Sequence, residues 1–156
     1  THRSKISTTS SEIGFTYLMA QIKIAFQLLL GAFLTSAGYS HLGSNRQEFQ
    51  AQVPTWLPLD PDFVVITSGL VEIALGLSLI TTLVIFKKYR GVVGLITGLF
   101  FVAIFAGNIN QYINQIDAFG LDTDQKRLIR LFFQPILVIW ALWCSGALGK
   151  RKERKS

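Results

Sequence analysis

The side chains most able to do chemistry in this chain are ionisable residues inside long apolar runs. Glu72 is the single charge within residues 63–86, and Arg130 lies one turn inside a later run. A buried ionisable group is costly in a membrane, so it usually faces a bundle interior and has a polar partner. Because an arginine side chain is long, Arg130 could reach toward the depth of Glu72. The two residues predict a structural ion pair, a ligand-binding or proton-handling site, or a pairing between molecules.

Four polar residues accompany this pair near the same ends of the apolar runs. Amides in this position usually hydrogen-bond between helices, although amides that face a pocket can bind a ligand. The histidine of the group is expected to be hydrogen-bonded and not a metal ligand, since no other histidine, cysteine or carboxylate is spaced to complete a site. The candidate polar cluster therefore consists of His41, Glu72, Asn108, Gln111, Arg130 and Gln134.

The cysteine and histidine content limits the cofactors that the chain can hold. Cys144 is the only cysteine, which excludes an intramolecular disulfide and cysteine-rich metal sites. The second histidine, His2, lies far from the apolar runs, so haem held by two histidines of this chain is not expected. We expect no metal and no cofactor bound by the chain alone. No self-contained catalytic or redox centre is evident, which favours a non-catalytic protein over an enzyme.

Four apolar segments must position the polar cluster. A mean hydropathy of +0.42 and an apolar fraction of 50% indicate an integral membrane protein. We predict an all-α transmembrane four-helix bundle over residues 21–149, between a flexible polar segment (1–20) and a basic tail (150–156). Each span is long enough to cross a hydrocarbon core of roughly 30 Å. The spans are expected at about residues 24–43, 63–86, 91–112 and 128–148.

The net charge of +6 lies at the edges of these segments. Basic residues precede the first span, form the turn Lys87–Arg90 and make up the tail from Lys150. Positive charge accumulates on the cytoplasmic side of membrane proteins, so both termini and this turn are expected in the cytoplasm. Topology explains the basic composition, and no nucleic-acid partner is expected. The polar cluster would lie in the extracytoplasmic half, and the cytoplasmic half would be almost purely apolar.

Small and loop residues add four local expectations. Gly69 and Gly76 in the second span are expected to let helices approach closely. The first loop holds three prolines between residues 54 and 61 and cannot be a regular helix there. Trp56 in this loop is expected to anchor it at the membrane interface. In the second loop, Asp122 or Thr123 is expected to cap the last helix.

A series of short motifs runs from about Ile24 to Leu148. It consists of GYSHL at 38–42, VPTWLP at 53–58, SGLVEIALG at 68–76, GNI at 107–109, RLFFQ at 130–134 and WALW at 140–143. In this order the motifs resemble the DoxX-like family of small four-helix bacterial membrane proteins. Gly107 departs from the pattern, since many members have a proline–alanine pair there. Gln111 lies close to where a histidine often follows, which argues further against metal or haem.

The resemblance implies a membrane partner more than a free-standing enzyme. Some members are subunits of membrane thiosulfate:quinone oxidoreductase assemblies, others accompany detoxifying or quinone-responsive enzymes, and distant eukaryotic relatives resemble assembly chaperones. It implies a non-catalytic subunit or partner of a quinone-linked oxidoreductase in the bacterial inner membrane. The chain would act with another protein subunit or as a homo-oligomer within the lipid bilayer.

Three functions remain open from the sequence. In the first, Arg130 and Gln134 hydrogen-bond the carbonyl oxygens of a quinone, and Glu72 holds Arg130 in place. The second is an assembly or stability factor that binds another membrane protein, for which a polar groove open laterally to lipid is expected. The third is a small lipid-binding or quinone-binding membrane protein.

Overall fold

The regular elements are all helices. The structure, a computed structural model, describes the backbone of residues 2–149 and the side chains of residues 12–149. Five α-helices are present: α1 (His2–Leu42), α2 (Arg46–Gln52), α3 (Pro61–Val84), α4 (Arg90–Ile113) and α5 (Asp124–Ser145). Four stretches are long and apolar enough to cross a membrane: Glu12–Leu42, Pro61–Val84, Lys87–Ile113 and Asp124–Ser145. The predicted all-α fold with four spans is confirmed.

The helix starts follow from local capping chemistry. The Asp60 side chain accepts a hydrogen bond from the Phe63 amide at 3.0 Å, and Pro61 occupies the first turn of α3. The Thr123 hydroxyl accepts from the Lys126 amide at 3.4 Å and caps α5, as predicted for this loop.

Two segments differ from the expected organisation. Residues 12–20, expected as part of a flexible polar segment, continue α1 without a break. The helix α2 within the first loop was not predicted, and it ends at Gln52 just before the prolines begin. The basic tail at residues 150–156 lies outside the described residues.

The four long helices run alternately up and down. α1 packs mainly on α3 and α4 mainly on α5, while further contacts join α1 to α5 and α3 to α4. Two connections, residues 43–60 and 114–123, therefore meet at one end of the bundle, called here the two-loop end. The short 3₁₀ turn Lys87–Tyr89 lies at the opposite end, called the turn end.

Glycines allow α1 and α3 to approach at backbone distance. A Cβ atom on Gly69 would lie 2.9 Å from the carbonyl oxygen of Gly38, and one on Gly38 would lie 2.5 Å from that of Gly69. Gly31 and Gly76 repeat this contact one heptad away, at 2.9 and 2.6 Å. The packing role predicted for Gly69 and Gly76 is confirmed, and their partners are Gly38 and Gly31 of α1.

A network of buried hydrogen bonds joins the helices at the turn end. The Gln27 side chain is fully buried and donates to the Leu79 carbonyl at 2.7 Å and to Thr82 Oγ1 at 3.1 Å. Its Oε1 accepts from Arg90 Nε at 2.5 Å, and Arg90 Nη2 donates to the Cys144 carbonyl at 2.7 Å. All four long helices are thus joined here. The expectation that this half is almost purely apolar is wrong, because one isolated glutamine in an apolar run gives little signal.

Candidate functional site

A cavity of about 570 Å³ opens inside the bundle at the two-loop end. Its size falls within the range of about 300–1,000 Å³ that is usual for small-molecule sites. All four long helices line it, together with α2 and the α4–α5 loop. Five of the six predicted cluster residues lie in its wall: His41, Glu72, Asn108, Arg130 and Gln134.

The histidine and the glutamate form one buried pair. His41 Nδ1 lies 3.0 Å from Glu72 Oε2, and both side chains are less than one-tenth exposed. The same nitrogen lies 2.9 Å from the Ala37 carbonyl oxygen, one turn back along α1, so it must carry the proton that this carbonyl accepts. The close approach of α1 and α3 at their glycines is what brings the two side chains together.

The carboxylate of Glu72 is unusually poor in partners. Although Oε2 lies beside the imidazole, the N–H bond of His41 is directed at the Ala37 carbonyl. Oε2 is the one fully buried side-chain nitrogen or oxygen among residues 12–149 that has no hydrogen-bond partner. A buried polar atom without a partner is costly, so natural structures rarely keep one without a reason.

Arg130 is held from the opposite side by neutral groups. Its Nε donates to Asn108 Oδ1 at 3.1 Å, Nη2 reaches Gln52 Oε1 at 3.4 Å, and the guanidinium lies 4.8 Å from the Phe119 ring centroid. Both residues of the expected Glu72–Arg130 ion pair are described, and they do not form it. The reason is positional, because Glu72 packs against α1 whereas Arg130 is held by α2, α4 and the second loop.

Two side-chain amides connect α4 to α5 on the turn-end side of Arg130. Asn108 Nδ2 donates to Gln134 Oε1 at 2.9 Å, and Gln134 Nε2 donates to the Phe101 carbonyl at 2.7 Å. These bonds are the interhelical hydrogen bonds that the sequence suggested for such residues. These bonds fix the cavity wall and occupy the amide groups of Asn108 and Gln134. Arg130 is therefore a better hydrogen-bond donor toward the cavity interior than either amide.

The sixth cluster residue, Gln111, lies behind the cavity wall. Its Oε1 accepts from Gln52 Nε2 at 2.6 Å, and its Nε2 donates to the carbonyls of Ile116 and Ala118 at 3.3 Å. Gln111 therefore ties α2 and the second loop to α4. Gln52, which does line the cavity, was missed by the sequence analysis because its position depends on how α2 folds back over the bundle.

An aromatic roof, defined here as Phe49 and Phe119, covers the cavity at the two-loop end. Phe49 stacks on the His41 ring with 3.5 Å between centroids, and Phe119 meets Phe49 edge-on at 4.5 Å. Glu48 of α2 accepts a hydrogen bond from the Phe119 amide, while Phe119 itself has a positive φ of 57°. The roof links the wall that carries His41 to the wall that carries Arg130.

The mouth of the cavity faces sideways, between α1 and α5. Phe33 on α1 and Ile129 and Phe133 on α5 line the cavity, yet they are 49%, 58% and 56% exposed. Farther toward the turn end the same helices close together, since Trp140 Nε1 donates to the Phe26 carbonyl at 3.1 Å. In a bilayer this mouth would open toward lipid.

Two exposed ion pairs connect the loops near the roof to the first turns of α3 and α5. Lys126 Nζ lies 2.6 Å from Asp122, and this hydrogen bond lowers the pKa of the Asp122 carboxyl. Arg46 at the start of α2 pairs with Asp62, whose hydrogen bond raises the pKa of the guanidinium. Both pairs are exposed to solvent and contribute little stability each.

Two further sequence expectations concern metal binding and the interface anchor. No group of three or more His, Cys, Asp or Glu side chains within residues 12–149 is arranged to hold a metal ion. Trp56 is 71% exposed in the first loop and does not line the cavity. Its role as a membrane anchor stays a prediction.

Comparison with known proteins places the chain in a family without assigning it an activity. No curated protein matches it, and no solved structure does. The model of a family described as a domain of unknown function, DUF8561, matches residues 30–145. This region runs from the middle of α1 to the end of α5 and includes every residue of the candidate polar cluster. The chain therefore belongs to the DUF8561 family.

Proposed function

We propose that the chain is a non-catalytic membrane partner of a quinone-linked oxidoreductase and binds a quinone-class ligand in its cavity. The observation that carries this proposal is a cavity that combines buried polar groups with an exposed apolar mouth between α1 and α5. A ligand with an apolar tail and a polar head would place its tail between α1 and α5 and its head among the buried polar groups. Quinones have this construction, and the cavity volume suits a single head group.

Arg130 is the residue best placed to hold the head group. Its contacts to Asn108 and Gln52 leave further N–H bonds of the guanidinium free, and no carboxylate among the described residues pairs with it. Gln134, assigned the same role from the sequence, uses its amide on Phe101 and Asn108 and acts mainly by positioning. A carbonyl oxygen of the ligand would accept from Arg130.

The resemblance to the DoxX-like family supports a redox setting for this binding. The chain offers no redox centre that we identify, so electrons would come from a partner protein. We place the complex in the bacterial inner membrane, with the two-loop end toward the extracytoplasmic side as the positive charge of the turn end suggests.

A cavity-filling substitution tests the proposal. Ala37 lines the cavity, whereas Ala32 is an exposed residue on the same helix. Tagged protein is purified gently from native membranes, and copurifying proteins and extractable lipids are identified by mass spectrometry. We expect a stoichiometric quinone and an oxidoreductase to copurify with the native chain. With Ala37→Leu we expect the amount of bound quinone to fall by at least about tenfold. Ala32→Leu, which adds the same bulk outside the cavity, should behave as the native chain.

The assembly-factor function predicts a different result. A sideways opening was expected for that function too, so the opening alone does not separate the two functions. Recovery of a membrane-protein client without any quinone would overturn the proposal and favour an assembly role.

A further inference from the structure

The cavity also indicates which form of the ligand it holds. Resting on the proposed function, we infer that Glu72 requires a hydroxyl group on the ligand, so that the cavity prefers the reduced quinol to the oxidised quinone. Oε2 of Glu72 lacks a hydrogen-bond donor whatever Arg130 binds. A carboxylate accepts hydrogen bonds and donates none, whereas a quinone carbonyl only accepts.

The surroundings of Glu72 leave this bond for a ligand to make. Among residues 12–149, no side chain or backbone group donates a hydrogen bond to Oε2 of Glu72, a residue that is only 4% exposed. His41 lies beside the carboxyl group of Glu72, but its Nδ1 donates its proton to the Ala37 carbonyl. The charged or ionisable side chains in the cavity wall besides these two are Arg130 and Lys126, and Lys126 pairs with Asp122.

Two-point binding follows from the opposite placement of Glu72 and Arg130. One hydroxyl of a quinol would donate to Glu72 on the α1–α3 side, and the other oxygen would accept from Arg130 on the α4–α5 side. A quinone could satisfy Arg130 but would bring a second acceptor to a carboxylate that already lacks a donor. Loss of a hydrogen bond to a charged group weakens binding by about 10- to 100-fold.

The test compares three probes that share a decyl tail: a benzoquinol, the corresponding benzoquinone and the dimethyl ether of the quinol. Equilibrium binding of each radiolabelled probe to the full chain in lipid nanodiscs is measured without oxygen. The common tail reduces differences in partitioning into the lipid. We expect the quinol to bind at least about tenfold more tightly than the quinone and the dimethyl ether.

A substitution assigns the preference to one residue. In Glu72→Gln an amide replaces the carboxylate and supplies a donor, so the preference for quinol over quinone should fall below about threefold. Glu12→Gln makes the same change at an exposed position of α1 away from the cavity, and it should keep the native preference. If Glu72→Gln fails to fold, binding of the three probes to the native chain still tests the preference for quinol over quinone.

The outcomes separate this inference from the proposed function. Equal binding of quinol and quinone, or tighter binding of quinone, would overturn the inference and leave the quinone-class ligand in place. Binding of none of the three probes would overturn the proposed function and the inference with it.

Discussion

Glu72 and Arg130 face one cavity and keep separate partners. The arginine distributes its charge over two amide oxygens and an aromatic face, which a planar, weakly hydrated guanidinium does well. The glutamate has only His41 beside it. Neither side chain therefore pairs with the other, and the two remain available to different atoms of a ligand.

This separation predicts how substitutions combine. The loss of unfolding free energy in Glu72→Gln plus His41→Gln should differ from the sum of the single losses by about 0.5–3 kcal/mol, because the side chains touch. The losses for Glu72→Gln plus Arg130→Gln should add to within about 0.5 kcal/mol. Unfolding in mixed micelles with increasing sodium dodecyl sulfate measures all five variants. Strong coupling of Glu72 to Arg130 would contradict the observed pairing.

The polar residues of the cavity wall were predicted from the sequence, whereas the residues of the aromatic roof were not. A charge or amide inside an apolar run is conspicuous, and five such residues proved to line one cavity. Phe49, Phe119 and Gln52 were missed because residues of the two connections, including the short helix α2, gain their positions from tertiary contacts that no periodicity reveals. The partner of Glu72 was misassigned for the same reason, since similar depth in two helices does not make the helices neighbours.

At the scale of the helices, close backbone contact between α1 and α3 positions the His41–Glu72 pair. Gly38 lies three residues before His41, and Gly69 lies three residues before Glu72. Any side chain at these glycines would push the helices apart at the place where the pair forms. Packing and chemistry are therefore coupled in this half of the bundle.

We expect Gly69→Ala to lower the unfolding free energy by about 1–3 kcal/mol, because its Cβ would meet both the Gly38 carbonyl and the His41 side chain. Gly14→Ala is the matched control, since a Cβ there meets nothing within 4 Å. The control should lose no stability and could gain up to about 1 kcal/mol from helix propensity. Equal stability of both variants in detergent melts would show that the glycine contact is not tight.

The whole molecule was the easiest level to predict. Four apolar runs separated by charged or proline-rich connections specify four spans, and short connections make successive helices antiparallel. The ring order of the helices and the cavity did not follow from this pattern, because they depend on how side chains pack. Helix α2 was hidden by its polar composition.

An even number of spans puts the two loops on the side opposite the turn. Lys88→Cys at the turn end and Asp122→Cys at the two-loop end should therefore react with a membrane-impermeant maleimide from opposite sides. We expect Asp122→Cys to be labelled in intact cells and Lys88→Cys only after lysis, as the positive-inside rule requires. The native Cys144 is fully buried and should not react with the maleimide, so labelling reports the introduced cysteines. Labelling of both variants from one side would contradict the four-span topology.

Under the proposed function, the sideways mouth would also determine what sets occupancy of the site. A ligand that enters between Phe33 and Phe133 would be drawn from the surrounding bilayer, so its mole fraction in the lipid, and not its aqueous concentration, would govern binding. Diluting the membranes in buffer would leave the cavity filled, whereas fusing them with ligand-free lipid would empty it. The protein would thus respond to the composition of the membrane in which it lies.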